Sequence, residues 1–234
     1  MKDSFGRTID YLRVSVTDRC NFRCVYCMPV DGYPVSPKDE LLTFEEMSRL
    51  IHIAADLGMT KIRLTGVEPL IRKDLSMLVA NIRKHPAISD LSCTTNAHLL
   101  GEKAAELKAA GLDRVNISLD TLREDKFVEI ARRGSLRRVM DGIEEAMRVG
   151  LNPIKINCVL MKGVNDDEVV DFARWTLRED VHVRFIEVMP IRWNLDETDP
   201  MDAMSALSGD RELFRLRIRE DVGMLSDAQM RRMV

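Results

Sequence analysis

The stretch YLRVSVTDRCNFRCVYCMP, residues 11–29, decides the fold. In its first six residues Leu12, Val14 and Val16 alternate with Tyr11, Arg13 and Ser15, the period of a β-strand. The next eleven residues hold Cys20, Cys24 and Cys27, three of the five cysteines in the chain. A strand that runs straight into a thiol-rich loop places that loop at the strand's C-terminal end.

Five similar runs follow: KIRLT (61–65), DLSCTT (90–95), RVNISL (114–119), IKINCVL (154–160) and HVRFIEV (182–188). Amphipathic segments separate them. Thr43 caps FEEMSRLIHIAADLG, with Glu46 three residues on and Gly58 at its end, a capping box and a terminal glycine. KDLSMLVANIRKH, GEKAAELKAAG, LRRVMDGIEEAMRVG and DDEVVDFARWTLRE give four more helical patterns. Six strands separated by helices imply right-handed β-α-β units and a parallel sheet, either open and doubly wound or a barrel.

Buried parallel strands are usually continuous apolar runs. Here Arg13, Arg63, Lys155 and Arg184 interrupt them, beside Asn116, Asn157 and Glu187. An unpaired buried charge costs several kcal/mol. Either these cations pair with one another or with strand carboxylates, or together they line a polar interior that binds an anion. A barrel lumen suits the second reading better than a flat sheet.

The 234 residues are 45% hydrophobic with a net charge of −3, enough for one sizeable core and no general nucleic-acid or membrane surface. The N-terminus has no apolar signal core and no run of 18 apolar residues occurs, so a cytoplasmic protein is expected. An odd number of cysteines, three in one loop, makes a poor disulfide framework. Structural zinc wants four ligands. Cys93 and Cys158 sit inside strand runs, where buried thiols are common core filler, so they are poor candidates for the fourth. A 4Fe–4S cluster held by three cysteines leaves one iron open to an outside ligand.

CNFRCVYC resembles the motif of the radical S-adenosylmethionine superfamily, with Tyr26 at its aromatic position. LLTFEEM, KIRLTGVEPLIRKDL, TTNAHLL, RVNISLDTL, INCVLMKGVNDDE and RFIEVMP follow in order, and together they resemble the GTP 3′,8-cyclase family of molybdenum-cofactor biosynthesis over residues 4–190. The resemblance implies an α/β fold, a partial (β/α)6 barrel of the radical SAM type over residues 1–190, with a divergent or truncated tail over 191–234. It implies a lyase that converts GTP to its 3′,8-cyclised form. One electron from the cluster would cleave S-adenosylmethionine, and the resulting radical would remove the 3′ hydrogen of GTP.

By the same resemblance Cys20, Cys24 and Cys27 hold the cluster, and Tyr26, Gly66, Val67, Ser118 and Met189 lie against S-adenosylmethionine. Arg13, Arg63, Thr94 and Lys155 match GTP contacts, and three of these four are strand-interior cations. The family further implies an external electron donor, a homodimer and a downstream step that processes the cyclised nucleotide.

Three departures stand out. The family's G-G-E-P reads GVEP here, and Val67 in place of its second glycine is expected to weaken cofactor binding. TTNG reads TTNA, with Ala97 as the milder change. No cysteine follows Cys158, so the family's C-terminal second cluster is expected to be missing. A radical enzyme with another substrate, and a non-catalytic iron–sulfur paralogue or partner subunit, are the competing readings.

Overall fold

The computed structural model describes residues 2–188; Met189 and the predicted tail over 191–234 lie outside the described residues. The strands are β1 (Tyr11–Ser15), β2 (Lys61–Thr65), β3 (Asp90–Thr95), β4 (Arg114–Ser118), β5 (Ile154–Leu160) and β6 (Val181–Glu187). The helices are α1 (Phe44–Asp56), α2 (Leu75–Arg83), α3 (Leu100–Ala109), α4 (Glu124–Ala131), α5 (Leu136–Arg148) and α6 (Val169–Arg178). One sheet carries the six strands in the order β1-β2-β3-β4-β5-β6, parallel from β1 to β2 and from β2 to β3. Sequential order with β1 and β6 at its margins is the α/β arrangement of a partial (β/α)6 barrel.

Every strand falls within a residue of its expected limits, because period-2 alternation is a strong signal. The capping box at Thr43 forms: its hydroxyl accepts from Glu46 N at 3.2 Å, and Glu46 Oε2 accepts from Thr43 N at 2.8 Å. One α-helix was not expected. Residues 124–131 form α4, a helix of eight residues with Glu124 and Asp125 in its first turn. Phe127, Ile130 and Ala131 are buried, the i, i+3, i+4 spacing of a short apolar stripe. Arg132 at φ +57° and Gly134 at φ +98° break the chain before α5.

Two compact units divide the chain. The first comprises residues 1–21, 34–116 and 138–154. On its strands Ile62, Leu64, Leu91, Cys93 and Val115 are buried to 1% exposure or less. Full burial of each such aliphatic side chain contributes about 2 kcal/mol. The intervening positions carry the polar residues, so Arg13 lies beside Arg63, and Arg63 beside Ser92, in strand register. Helix α5 approaches the start of α3 at backbone distance: a Cβ on Gly142 would lie 2.5 Å from the Ala97 carbonyl oxygen.

The second unit comprises residues 22–33 and 117–137 and the chain from 155 onward. Its apolar cluster is built on Ile130 of α4 and Met161, with Val25, Tyr26, Val159 and Val164 packed against them. Phe172 of α6 is fully buried and meets Phe185 of β6 edge-on, centroids 6.0 Å apart.

Candidate functional site

The turn after β2 is set by Gly66. Its φ is +141°, and an added Cβ would sit 2.6 Å from the Thr17 carbonyl oxygen. Only glycine fits that approach. Val67 N then donates to Thr17 O at 3.0 Å, and Glu68 N to Arg19 O at 2.8 Å, tying this turn to the segment leading into Cys20.

The two departures from the family's glycine pattern differ in backbone conformation. Among the described residues the non-glycine positions with positive φ are Asp74, Ala97 and Arg132; Val67 is not one of them, and it is 40% exposed. A valine there bears no left-handed strain. Ala97, the change expected to be milder, is the one held at φ +60° and fully buried. The missing glycine is therefore felt at 97, at roughly 1–2 kcal/mol of backbone strain.

Glu68 is 1% exposed and acts as a clasp. Its Oε1 accepts from Leu70 N at 2.9 Å and from the Thr95 hydroxyl at 2.7 Å; its Oε2 accepts from Asn96 N at 2.6 Å. Thr95 Oγ1 in turn accepts from Ala97 N at 3.0 Å, which fixes the loop after β3. Burial raises the Glu68 carboxyl above its ordinary value against these three bonds. So positioned, Asn96 Nδ2 donates to Asn21 Oδ1 at 2.8 Å and points at Cys20 Sγ, 3.9 Å away. An N–H aimed at a ligand sulfur is a recurrent way of tuning an iron–sulfur centre.

The second unit repeats the device. Glu168, 2% exposed, accepts from the Thr121 hydroxyl at 2.6 Å and from Leu122 N at 2.7 Å. Thr121 Oγ1 accepts from Arg123 N at 3.1 Å. The thiol loop from Phe22 on, with Cys24 and Cys27, lies here too, while Cys20 belongs to the first unit. Arg23 N and Val25 N donate to Ala131 O and Ile130 O at 2.9 and 3.0 Å, so α4, which sequence reasoning missed, is the loop's anchor. Cys27 N and Met28 N both donate to Cys24 O, which closes Cys24 and Cys27 into one turn.

Tyr26 between them donates its hydroxyl to Asp120 Oδ2 at 2.7 Å, while Val159 N donates to Asp120 Oδ1 at 2.8 Å. Burial lifts Asp120 to about 6, and burial together with that carboxyl holds the Tyr26 phenol well above its usual range. Partial desolvation and Asp120 also raise the Cys27 thiol, although that residue keeps solvent access. A bound cation reverses that effect, since a thiol ligand is deprotonated by the metal it meets.

All five cysteines are free thiols. Cys93 and Cys158 are buried at 1% and 0%, as expected of core residues. Among the described residues, no three His, Cys, Asp or Glu side chains gather as a group that would hold a metal ion. What the chain offers is three thiols along one eight-residue loop, with an amide aimed at the first. That soft donor set suits an iron–sulfur cube, whose three ligands bind separate irons, better than a single ion.

The polar strand face carries Arg13, Arg63 and Thr94, three of the residues expected to meet an anion, together with Asn116. Arg13 is exposed, and the Arg63 guanidinium lies over the Tyr11 ring at 5.2 Å with Nε 3.5 Å from Ser92 Oγ. Thr94 Oγ1 and both amide atoms of Asn116 are buried without a hydrogen-bond partner. In the second unit Ser118 and Lys155 are half-buried. Among the described residues, no helix is long and apolar enough to cross a membrane.

Known proteins bear on these features. A GTP 3′,8-cyclase of Heliobacterium modesticaldum is 56% identical over 191 residues, 82% of this chain and 58% of the relative. One of Petrotoga mobilis is 49% identical over 191 residues, covering 82% and 59%, and one of Peptoclostridium acidaminophilum 50% over 207 residues, covering 86% and 64%. The chain thus spans about three-fifths of the length of these curated relatives. In fold it is similar to the hydrogenase maturase HydG, with a TM-score of 0.66 at 14% identity over 95% of this chain and 54% of that one. Streptococcus suis SuiB bound to S-adenosylmethionine gives 0.63 at 17%, over 88% and 48%. The family model described as the radical SAM superfamily matches residues 14–176, from β1 into α6, and the chain belongs to that superfamily.

Proposed function

We propose that this chain acts as a GTP 3′,8-cyclase-type lyase of molybdenum-cofactor biosynthesis, with residues 1–190 as its catalytic core. The observation that carries the reading is the in-register pair Arg13 and Arg63 on neighbouring strands. Strands lie about 4.8 Å apart. Register partners leave the sheet on the same face, and two cations on one face are suited to grip a phosphate chain through charge-assisted bonds. The relatives, GTP 3′,8-cyclases by name, supply the nucleotide.

In this reading Cys20, Cys24 and Cys27 hold the cluster, which when bound supplies the electron for reductive cleavage of S-adenosylmethionine. Asn96 steadies Cys20 and Asp120 orients Tyr26. Tyr26, Gly66, Val67, Ser118 and Met189 contact S-adenosylmethionine. Arg13, Arg63, Thr94 and Lys155 hold the GTP. An outside electron donor, a homodimer and a following enzyme acting on the cyclised nucleotide complete the proposal.

The test is anaerobic reconstitution with iron and sulfide, then dithionite and S-adenosylmethionine with and without GTP. Cyclised nucleotide together with 5′-deoxyadenosine supports the reading. A brown, reducible cluster that never yields 5′-deoxyadenosine overturns it.

A further inference from the structure

Asn116 sits in the middle of β4, 0% exposed, between Val115 and Ile117, which are equally buried. Alternation turns it to the face opposite those two. Both its Oδ1 and its Nδ2 are buried without a hydrogen-bond partner. A side-chain amide offers two donors and two acceptor lone pairs, and enclosing all of them unused is costly. A residue kept for packing would be Val or Ile, as its neighbours are. Fully enclosed, the amide cannot draw on bulk water.

Its surroundings within the first unit share this character. On β3 next to it, Thr94 Oγ1 is likewise buried without a partner. Two strands from Asn116 lies β2 with Arg63, and Arg13 follows on β1. Two strand spacings are about 10 Å. Across the face, the chemistry thus changes from the cations Arg13 and Arg63 on β1 and β2 to the neutral Thr94 and Asn116 on β3 and β4, where the charged Asp90 and Arg114 pair with each other. A nucleotide changes the same way from its phosphates to its sugar, whose vicinal hydroxyls each donate and accept.

We infer that Asn116 is a specificity residue whose amide holds the ribose hydroxyls of the nucleotide, with Thr94 beside it. The inference rests on the proposed nucleotide reading and adds a contact to it.

The experiment is equilibrium binding of GTP and of 2′,3′-dideoxyGTP to the full reconstituted chain under anaerobic conditions, paired with thermal unfolding. Wild type is expected to prefer GTP by about 10- to 100-fold, the range for one or two hydrogen bonds. Asn116→Leu, close in volume, is expected to lose that preference by weakening GTP only. Its unfolding temperature should be equal or higher, because the orphaned amide is gone. Asn116→Ala should lose the preference in the same way, and it carries the test if the leucine variant does not fold.

A variant that keeps the GTP preference overturns the inference, as does equal binding of both nucleotides by wild type. A variant that unfolds more readily and loses both nucleotides equally makes Asn116 structural, which also overturns it. Wild type that binds neither nucleotide removes the cyclase reading itself, and the ribose contact with it.

Discussion

Replacing Glu68 by glutamine should destabilise the chain more than the same change at Glu168, and the reason is geometric. Both oxygens of Glu68 face a backbone N–H: Oε1 faces Leu70 N and Oε2 faces Asn96 N. Whichever way a glutamine is turned, its NH2 meets a donor that cannot reverse. One charge-assisted bond, worth about 1.5–3 kcal/mol, is lost, and a buried N–H is left unsatisfied at a further 1–3. Burial already disfavours the Glu68 charge, and a neutral side chain recovers part of this loss. The net cost is about 2–3 kcal/mol. At Glu168 just one of the two clasp donors is a backbone N–H, that of Leu122; the other is the Thr121 hydroxyl, which can turn and accept from the new amide. About 1 kcal/mol is expected there, including the lost pairing with Lys126 Nζ at 3.4 Å. Urea unfolding of the cluster-free protein at pH 7 measures both. If Glu68→Gln costs no more than Glu168→Gln, the clasp argument is wrong.

Further tests address the turn glycine and the buried acid. Gly66→Ala should cost about 2–4 kcal/mol, combining strain at φ +141° with a Cβ 2.6 Å from Thr17 O. Val67→Gly should cost under about 1, and equal losses by calorimetry would contradict the assignment of the close approach to Gly66. Asp120 at about 6 keeps in the folded state a proton that the unfolded chain releases near 3.8. It therefore favours folding by about 3 kcal/mol below pH 4, and that contribution disappears as the pH rises through 6. Asp120→Asn should remove this fall from the stability profile of the cluster-free chain between pH 4 and 6; an unchanged slope would refute the shift.

Alternation made the strands legible, since each buries one face, and the thiol loop was legible because three cysteines in eight residues have few chemical explanations. Helix α4 was passed over because eight residues bury just one short stripe, too little for a periodic pattern to stand out. Residue identity does not carry backbone angle, so the left-handed strain at Ala97, and its absence at Val67, could not be read from the sequence. Glu68 and Glu168 were invisible as a pair for another reason. Their hydrogen-bond partners, Thr95 and Thr121, lie 27 and 47 residues away, beyond any local spacing rule. Asn116 was noticed in its strand, but the idleness of its amide belongs to three dimensions.

The twin clasps have a bearing on how such a protein can change over generations. In each, a carboxylate, a threonine at or just past a strand's end and two successive backbone N–H groups set the path of a loop through contacts internal to the clasp. Of the other loop side chains, Asn96 accepts from His98 N and donates to Asn21, and Arg123 pairs with Asp125 and Asp167 at the surface. Neither side chain is part of its clasp, so exchanging either leaves the carboxylate, the threonine and both N–H bonds in place. Chemistry can drift at these two rims while the frame is inherited intact, so new substrates are within reach of few mutations there.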